Sequence, residues 1–212
     1  MDGVFEQIKK IKVVPVVKVN SLDEAENLAC ALIKGNLPIA EITLRTDCAL
    51  DAIKNTAEKH PEIIVGAGTV LNYKQAKDAI KAGAKFIVSP GLNLKVLKTC
   101  KKAGVLYIPG CVTPTEITTA IENGITTVKF FPANVYGGLT AIKALAGPFS
   151  GVTFMPTSGI NGDNLAEFLA FDKIVACGGS WMVDANLIKN GEYGKIESLC
   201  RKARETADSV NK

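Results

Sequence analysis

The chain has 212 residues, 47% hydrophobic and 22% charged, with a formal net charge of +4. It contains no run of five or six basic residues and no stretch of ~18 apolar residues, so neither a nucleic-acid footprint nor a membrane span is expected. The opening MDGVFEQIKKIK lacks the apolar core of a secretion signal, and the expected location is the cytoplasm.

Taken in order, KVVPVVKV (12–19) reads as a buried strand and SLDEAENLACALIKG (21–35) as a helix. Ser21 with Glu24 three residues on predicts a capping box, and Gly35 a helix stop. The alternation then repeats. PIAEITLR (38–45) reads as strand and DCALDAIKNTAEKH (47–60) as helix, followed by EIIVGAGT (62–69) and NYKQAKDAIKAG (72–83). KFIVS (85–89) precedes NLKVLKTCKKAG (93–104), and VLYIPG (105–110) precedes TPTEITTAIENG (113–124). TVKFFP (127–132) precedes GLTAIKALAG (138–147), and VTFMPTS (152–158) precedes NGDNLAEFLAF (161–171). The last strand is KIVACGG (173–179), followed by SWMVD and a helical tail from about Tyr193.

These are about eight strand–helix units with no long linker and no break in composition. Near-continuous apolar strands are covered on both faces, and strict alternation predicts parallel pairing. The expected fold is α/β, a (β/α)8 TIM barrel forming a single domain over residues 1–212. A doubly wound open sheet is the alternative, but its G-x-G-x-x-G fingerprint is absent after the first strand.

Six cysteines and one histidine occur. None of Cys30, Cys48, Cys100, Cys111, Cys177 and Cys200 forms a C-x-x-C pair, so free thiols are expected. His60 precedes a proline and reads as a helix end. No metal site is expected from this set.

A barrel works at the C-terminal ends of its strands. The second strand places Glu41, Thr43 and Arg45 on one face, either as an internal ion pair or as working groups. The third ends at Thr69 beside two glycines, and the fourth at Ser89 and Pro90, where Pro90 also suits a turn. The sixth carries Lys129 between Val128 and two phenylalanines. A strand lysine commonly reaches the rim along its own stem. A nucleophilic amine must instead be neutral, and apolar surroundings favour that form. The seventh and eighth strands end in PTSGINGDN and CGGSW, Gly- and Ser-rich exits that suit a phosphate.

The segments EITLRT, GAGTV, VSPG, PGCVTPTE, VKFFPA, GPFSGVTFMPTSGI and GGSWM, in this order, resemble the 2-keto-3-deoxy-6-phosphogluconate aldolase family, which includes 4-hydroxy-2-oxoglutarate aldolases. The resemblance runs from about residue 4 to residue 205. It implies Lys129 as the Schiff-base lysine and Glu41 as the proton shuttle. It implies Arg45 and Thr69 on the substrate carboxylate, Pro90 and Phe131 as walls around the pyruvyl group, and Thr157 near the reacting hydroxyl. Ser158, Gly159, Gly179 and Ser180 would cup the phosphate. One departure is PTSG where the family usually has PTGG, which puts Ser158 at a glycine position. Another is Lys18 at the end of the first strand, equally readable as an anion contact or a rim lysine.

The reaction so implied is reversible cleavage of 2-keto-3-deoxy-6-phosphogluconate to pyruvate and glyceraldehyde 3-phosphate, with no metal or organic cofactor, in a homotrimer. The rivals are cleavage of 4-hydroxy-2-oxoglutarate or of the 6-phosphogalactonate epimer. A phosphate-binding barrel isomerase or synthase belongs to another class, and a barrel that only binds sugar phosphates to a third.

Overall fold

The computed structural model describes residues 2–210. Its strands fall where the apolar runs predict: β1 (Val13–Val17), β2 (Ile39–Thr43), β3 (Ile64–Gly68), β4 (Phe86–Val88), β5 (Leu106–Ile108), β6 (Thr127–Phe130), β7 (Thr153–Pro156) and β8 (Cys177–Gly179). Nearly every strand position is buried, as a layer covered on both faces requires.

The helices are α1 (Asp2–Ile11), α2 (Leu22–Lys34), α3 (Ala49–Lys59), α4 (Tyr73–Lys81), α5 (Leu94–Ala103), α6 (Pro114–Glu122), α7 (Gly138–Ala146), α8 (Leu165–Leu169), α9 (Ala185–Lys189) and α10 (Tyr193–Ser209). Periodicity named no element before residue 12. Helix α1 nevertheless carries a helical stripe of Val4, Phe5, Ile8 and Ile11, with Ile8 fully buried. Ser21 caps α2 by accepting from the Glu24 N–H, but Glu24 Oε2 accepts from Asn20 N at 2.7 Å, so half of the expected box forms. Helix α8 is shorter than its pattern predicts. The Oδ1 of Asn161 accepts from the N–H groups of Asp163 and Asn164, and this side-chain turn occupies the expected first turn.

All strand pairs are parallel. One sheet has the order β5-β4-β3-β2-β1-β8, and β6 pairs with β7 in a second. A doubly wound sheet would set β1 beside β3 or β4; here its neighbours are β2 and β8. Single bridges join Gly110 to Lys129, Phe154 to Ile174 and Thr157 to Gly178. The last helix is tied to the first strand's entry, where Lys12 Nζ donates to the carbonyls of Ala207 and Val210 at 3.0 and 2.7 Å. No helix among the described residues is long and apolar enough to cross a membrane.

Candidate active site

Lys129 is the third residue of β6, and only 6% of it is exposed. Its backbone is held from both sides. Its N–H donates to the Pro109 carbonyl at 2.7 Å, and its carbonyl accepts from Cys111 N at 2.9 Å. Its ammonium-bearing chain does not reach the rim. Nζ lies 3.4 Å from Glu41 Oε1 and 5.0 Å from the centroid of the Phe131 ring.

Glu41 lies at the centre of β2, paired with Val16 of β1 and Gly66 of β3, and is 0% exposed. Its carboxylate fits because of Gly68. A Cβ at that position would lie within 2.6 Å of Glu41 Cγ and closer still to Oε1. The glycine thus makes room for a side chain of the protein itself. Glu41 Oε2 and Thr157 Oγ1 are buried side-chain polar atoms with no hydrogen-bond partner, the two side-chain atoms of this kind among the described residues. Leaving such atoms unpaired costs roughly 1–3 kcal/mol each, so they mark a place where another molecule completes the bonding.

Arg45 does not pair with Glu41. Its Nε donates to Thr43 Oγ1 at 3.1 Å, and that hydroxyl donates to the Val17 carbonyl at 2.8 Å. Among the described residues no carboxylate lies within 4 Å of the guanidinium, so the arginine is aimed by Thr43 and keeps its charge for an anion. Register sets Thr43 opposite Gly68, which brings Arg45 and Thr69 to adjoining strand ends. Thr69 has φ +58°, an uncommon and strained setting for a β-branched residue. Pro90 is half-buried, and its carbonyl lies where any Cβ on Gly110, the bridge partner of Lys129, would have to be.

At the loops after β7 and β8, expected to hold a phosphate, the structure gives a different account of several residues. Ser158 has φ +83° and its hydroxyl donates to Asn134 Oδ1 at 2.8 Å, joining the loop after β7 to the loop after β6. Asn134 was not among the expected site residues, because its partner is 24 residues away and no spacing rule connects them. Gly179 is required by packing: an added Cβ would lie 2.0 Å from the Trp181 indole. Helix dipoles contribute little here. Ser180 opens a single turn, Trp181–Val183, and α8 begins only at Leu165. What remains is backbone: the N–H groups of Gly159 and Ser180 have no backbone acceptor among the described residues. Lys18 is exposed at the end of β1. A cavity of about 260 Å³ opens at the other end of the strands, lined by Phe5, Cys100, Val105, Tyr107 and Thr127, and holds none of these groups.

A parallel α/β scaffold with a buried amine against a buried carboxylate suits an enzyme acting on carbonyl compounds. The comparisons with known proteins make this specific. Residues 4–199 match the family described as "Aldolase: KDPG and KHG aldolase", and the chain belongs to that family of carbon–carbon lyases. It is 45% identical over 195 residues to the KHG/KDPG aldolase of Escherichia coli strain K12, covering 92% of each chain. It is 36% identical to the KDPG aldolase of Legionella pneumophila, solved with pyruvate captured at low pH as a covalent carbinolamine intermediate (TM-score 0.90; 94% of this chain, 97% of that one). The 2-keto-3-deoxy-6-phosphogluconate aldolase of Zymomonas mobilis ZM4, solved with 3-phosphoglycerate, is 35% identical (TM-score 0.89; 98% and 96%).

Proposed function

We infer that the protein is a class I aldolase that reversibly cleaves 2-keto-3-deoxy-6-phosphogluconate to pyruvate and glyceraldehyde 3-phosphate. The carrying observation is Lys129 Nζ at 3.4 Å from a Glu41 carboxyl whose other oxygen is buried and unpaired. An amine and a carboxyl at this separation hold a proton between them in two ways. The amine-and-acid form is the one that attacks a ketone.

Lys129 adds to C2, and the carbinolamine loses water to give a protonated imine. That cation accepts the electron pair of the C3–C4 bond as it breaks, while the C4 hydroxyl proton passes to Glu41, directly or through a water. Aldehyde leaves, Glu41 returns a proton to C3 of the enamine, and water releases pyruvate from Lys129. Arg45 and Thr69 hold the carboxylate, by a charge-assisted hydrogen bond in the case of Arg45. Pro90 and Phe131 wall the pyruvyl group, and the unpaired hydroxyl of Thr157 meets the reacting oxygens. The backbone N–H groups at Gly159 and Ser180, with Ser158 and the Gly179 turn, take the phosphate. No metal or organic cofactor enters any step.

The strands form one closed (β/α)8 barrel and the chain one domain in this reading. The bridges from Gly110 to Lys129 and from Thr157 to Gly178 support it by linking the two sheets at both seams. A cytoplasmic homotrimer is the expected assembly. Exposed Leu71, just before α4, and Tyr73 and Leu94, the first residues of α4 and α5, support a covered surface there; Asn93 Nδ2 links the two helix starts by donating to the Leu71 carbonyl at 3.1 Å.

Pyruvate with borohydride is expected to leave a reduced pyruvyl group on Lys129 alone. An adduct elsewhere, or none, overturns the mechanism. The competing substrate is 4-hydroxy-2-oxoglutarate, favoured by the double name of the Escherichia coli relative. Ser180→Asp separates the two readings by putting a negative charge on an exposed residue beside the loop. KM for the phosphorylated acid should rise roughly tenfold or more, since apposed like charges are costly. Cleavage of the unphosphorylated acid should hold.

A further inference from the structure

We propose that Glu26, Cys30 and His60 form a binding site for a thiophilic divalent cation of the zinc class, set between α2 and α3 and separate from the Schiff-base lysine. Glu26 and Cys30 stand four residues apart on α2, which puts them on one face, one turn from each other. His60, the only histidine of the chain, is the C-cap of α3. Packing of the two helices brings one donor atom from each residue within 4.8 Å of the others.

The donor set decides the ligand. A thiolate, an imidazole and a carboxylate form a combination that zinc takes in tetrahedral sites, whereas magnesium and calcium want oxygen alone. The charges also match: a thiolate and a carboxylate balance a dication, with the imidazole neutral. Three protein donors leave a fourth position, and Cys30 is exposed, so that position opens to solvent.

The site is organised before any ion arrives. Glu26 Oε2 is held by Asn55 Nδ2 at 3.0 Å and by Lys59 Nζ at 3.3 Å. That turns Oε1 toward His60 Nε2, at 2.9 Å. Outer partners of this kind orient ligating carboxylates in metal sites. On binding, the Cys30 thiol proton passes to solvent as the sulfur–metal bond forms. His60 then carries its remaining proton on Nδ1, freeing the Nε2 lone pair. Sequence spacing expected no metal from one histidine and no cysteine pair, because the three donors converge only when two helices pack.

The test uses the full chain, freed of metal by a chelator and titrated with cobalt(II). One equivalent should bind with the intense absorption of a thiolate-to-cobalt charge transfer, zinc should displace it, and the melting temperature should rise with metal concentration. Loss of an outer partner alone typically weakens a metal site 10–100-fold, so loss of a ligand in Cys30→Ser or His60→Gln should weaken it by roughly 100-fold or more. Cys30→Ser should also remove the absorption. Aldolase turnover serves as the check that the variants are folded, and Cys30→Ala provides a second variant at that position. Cobalt uptake without the absorption, an absorption that persists in both Cys30 variants, or no uptake at millimolar cobalt would each overturn the site.

Discussion

Lys129 and Glu41 lie 3.4 Å apart, each within reach of the other. The lysine is fixed by hydrogen bonds through Pro109 and Cys111, the carboxyl by the sheet and by the space Gly68 leaves. Glu41→Gln keeps that shape and removes the carboxyl proposed to carry the proton. Turnover is expected to fall roughly 10²- to 10⁴-fold, while borohydride trapping of pyruvate on Lys129 persists. Near-normal turnover in this variant would reduce Glu41 to a partner that merely neutralises the lysine. Ser158 poses a different residue-level question, because it sits at φ +83° with its hydroxyl on Asn134. Ser158→Ala loses the bond and keeps the strain. Ser158→Gly loses the same bond and relieves the strain, worth about 1 kcal/mol. The glycine variant should therefore melt at the higher temperature of the two; the reverse order would mean that backbone strain at Ser158 is not significant.

At the scale of elements, the sequence exposed the strands and most helices because each buried run is apolar and each turn carries Gly, Asn or Pro. Strand ends then pointed to Glu41, Arg45, Thr69 and Lys129 by position alone. What stayed hidden depends on contacts between distant segments. No local pattern says that Gly68 yields to Glu41, that Gly179 yields to Trp181, or that Ser158 reaches Asn134. Helix α1 is the exception, since its stripe of Val4, Phe5, Ile8 and Ile11 was present to be read. The lysines, glutamate and glutamine between these residues give the segment its polar appearance. Of the two readings of Glu41 and Arg45, the internal ion pair is the one not seen: Thr43, between them on the same face, accepts from the guanidinium, and Glu41 lies against Lys129 instead.

For the molecule as a whole, the thiols report how much of the chain is sealed from solvent. Burial pushes Cys100, Cys111 and Cys200 up to about 12, which leaves them almost wholly protonated at neutral pH. Cys177 is buried as well, Cys48 is partly covered and Cys30 is exposed. Thiol reagents applied to the native protein should modify Cys30 first and Cys48 more slowly, with the remaining four reacting only on unfolding. Mass mapping of the labelled sites checks the order, and early labelling of Cys100 or Cys200 would contradict the packing. The sheet order has a further consequence for how the molecule is made. Strand β1 leaves the ribosome early, yet one of its two neighbours, β8, is paired through Val13 with Cys177. Through most of synthesis that flank of β1 has valines and open backbone groups but no partner, the kind of edge that recruits other chains. Nascent chains stalled before residue 173 should therefore need chaperone cover and aggregate without it, and those released past α10 should not.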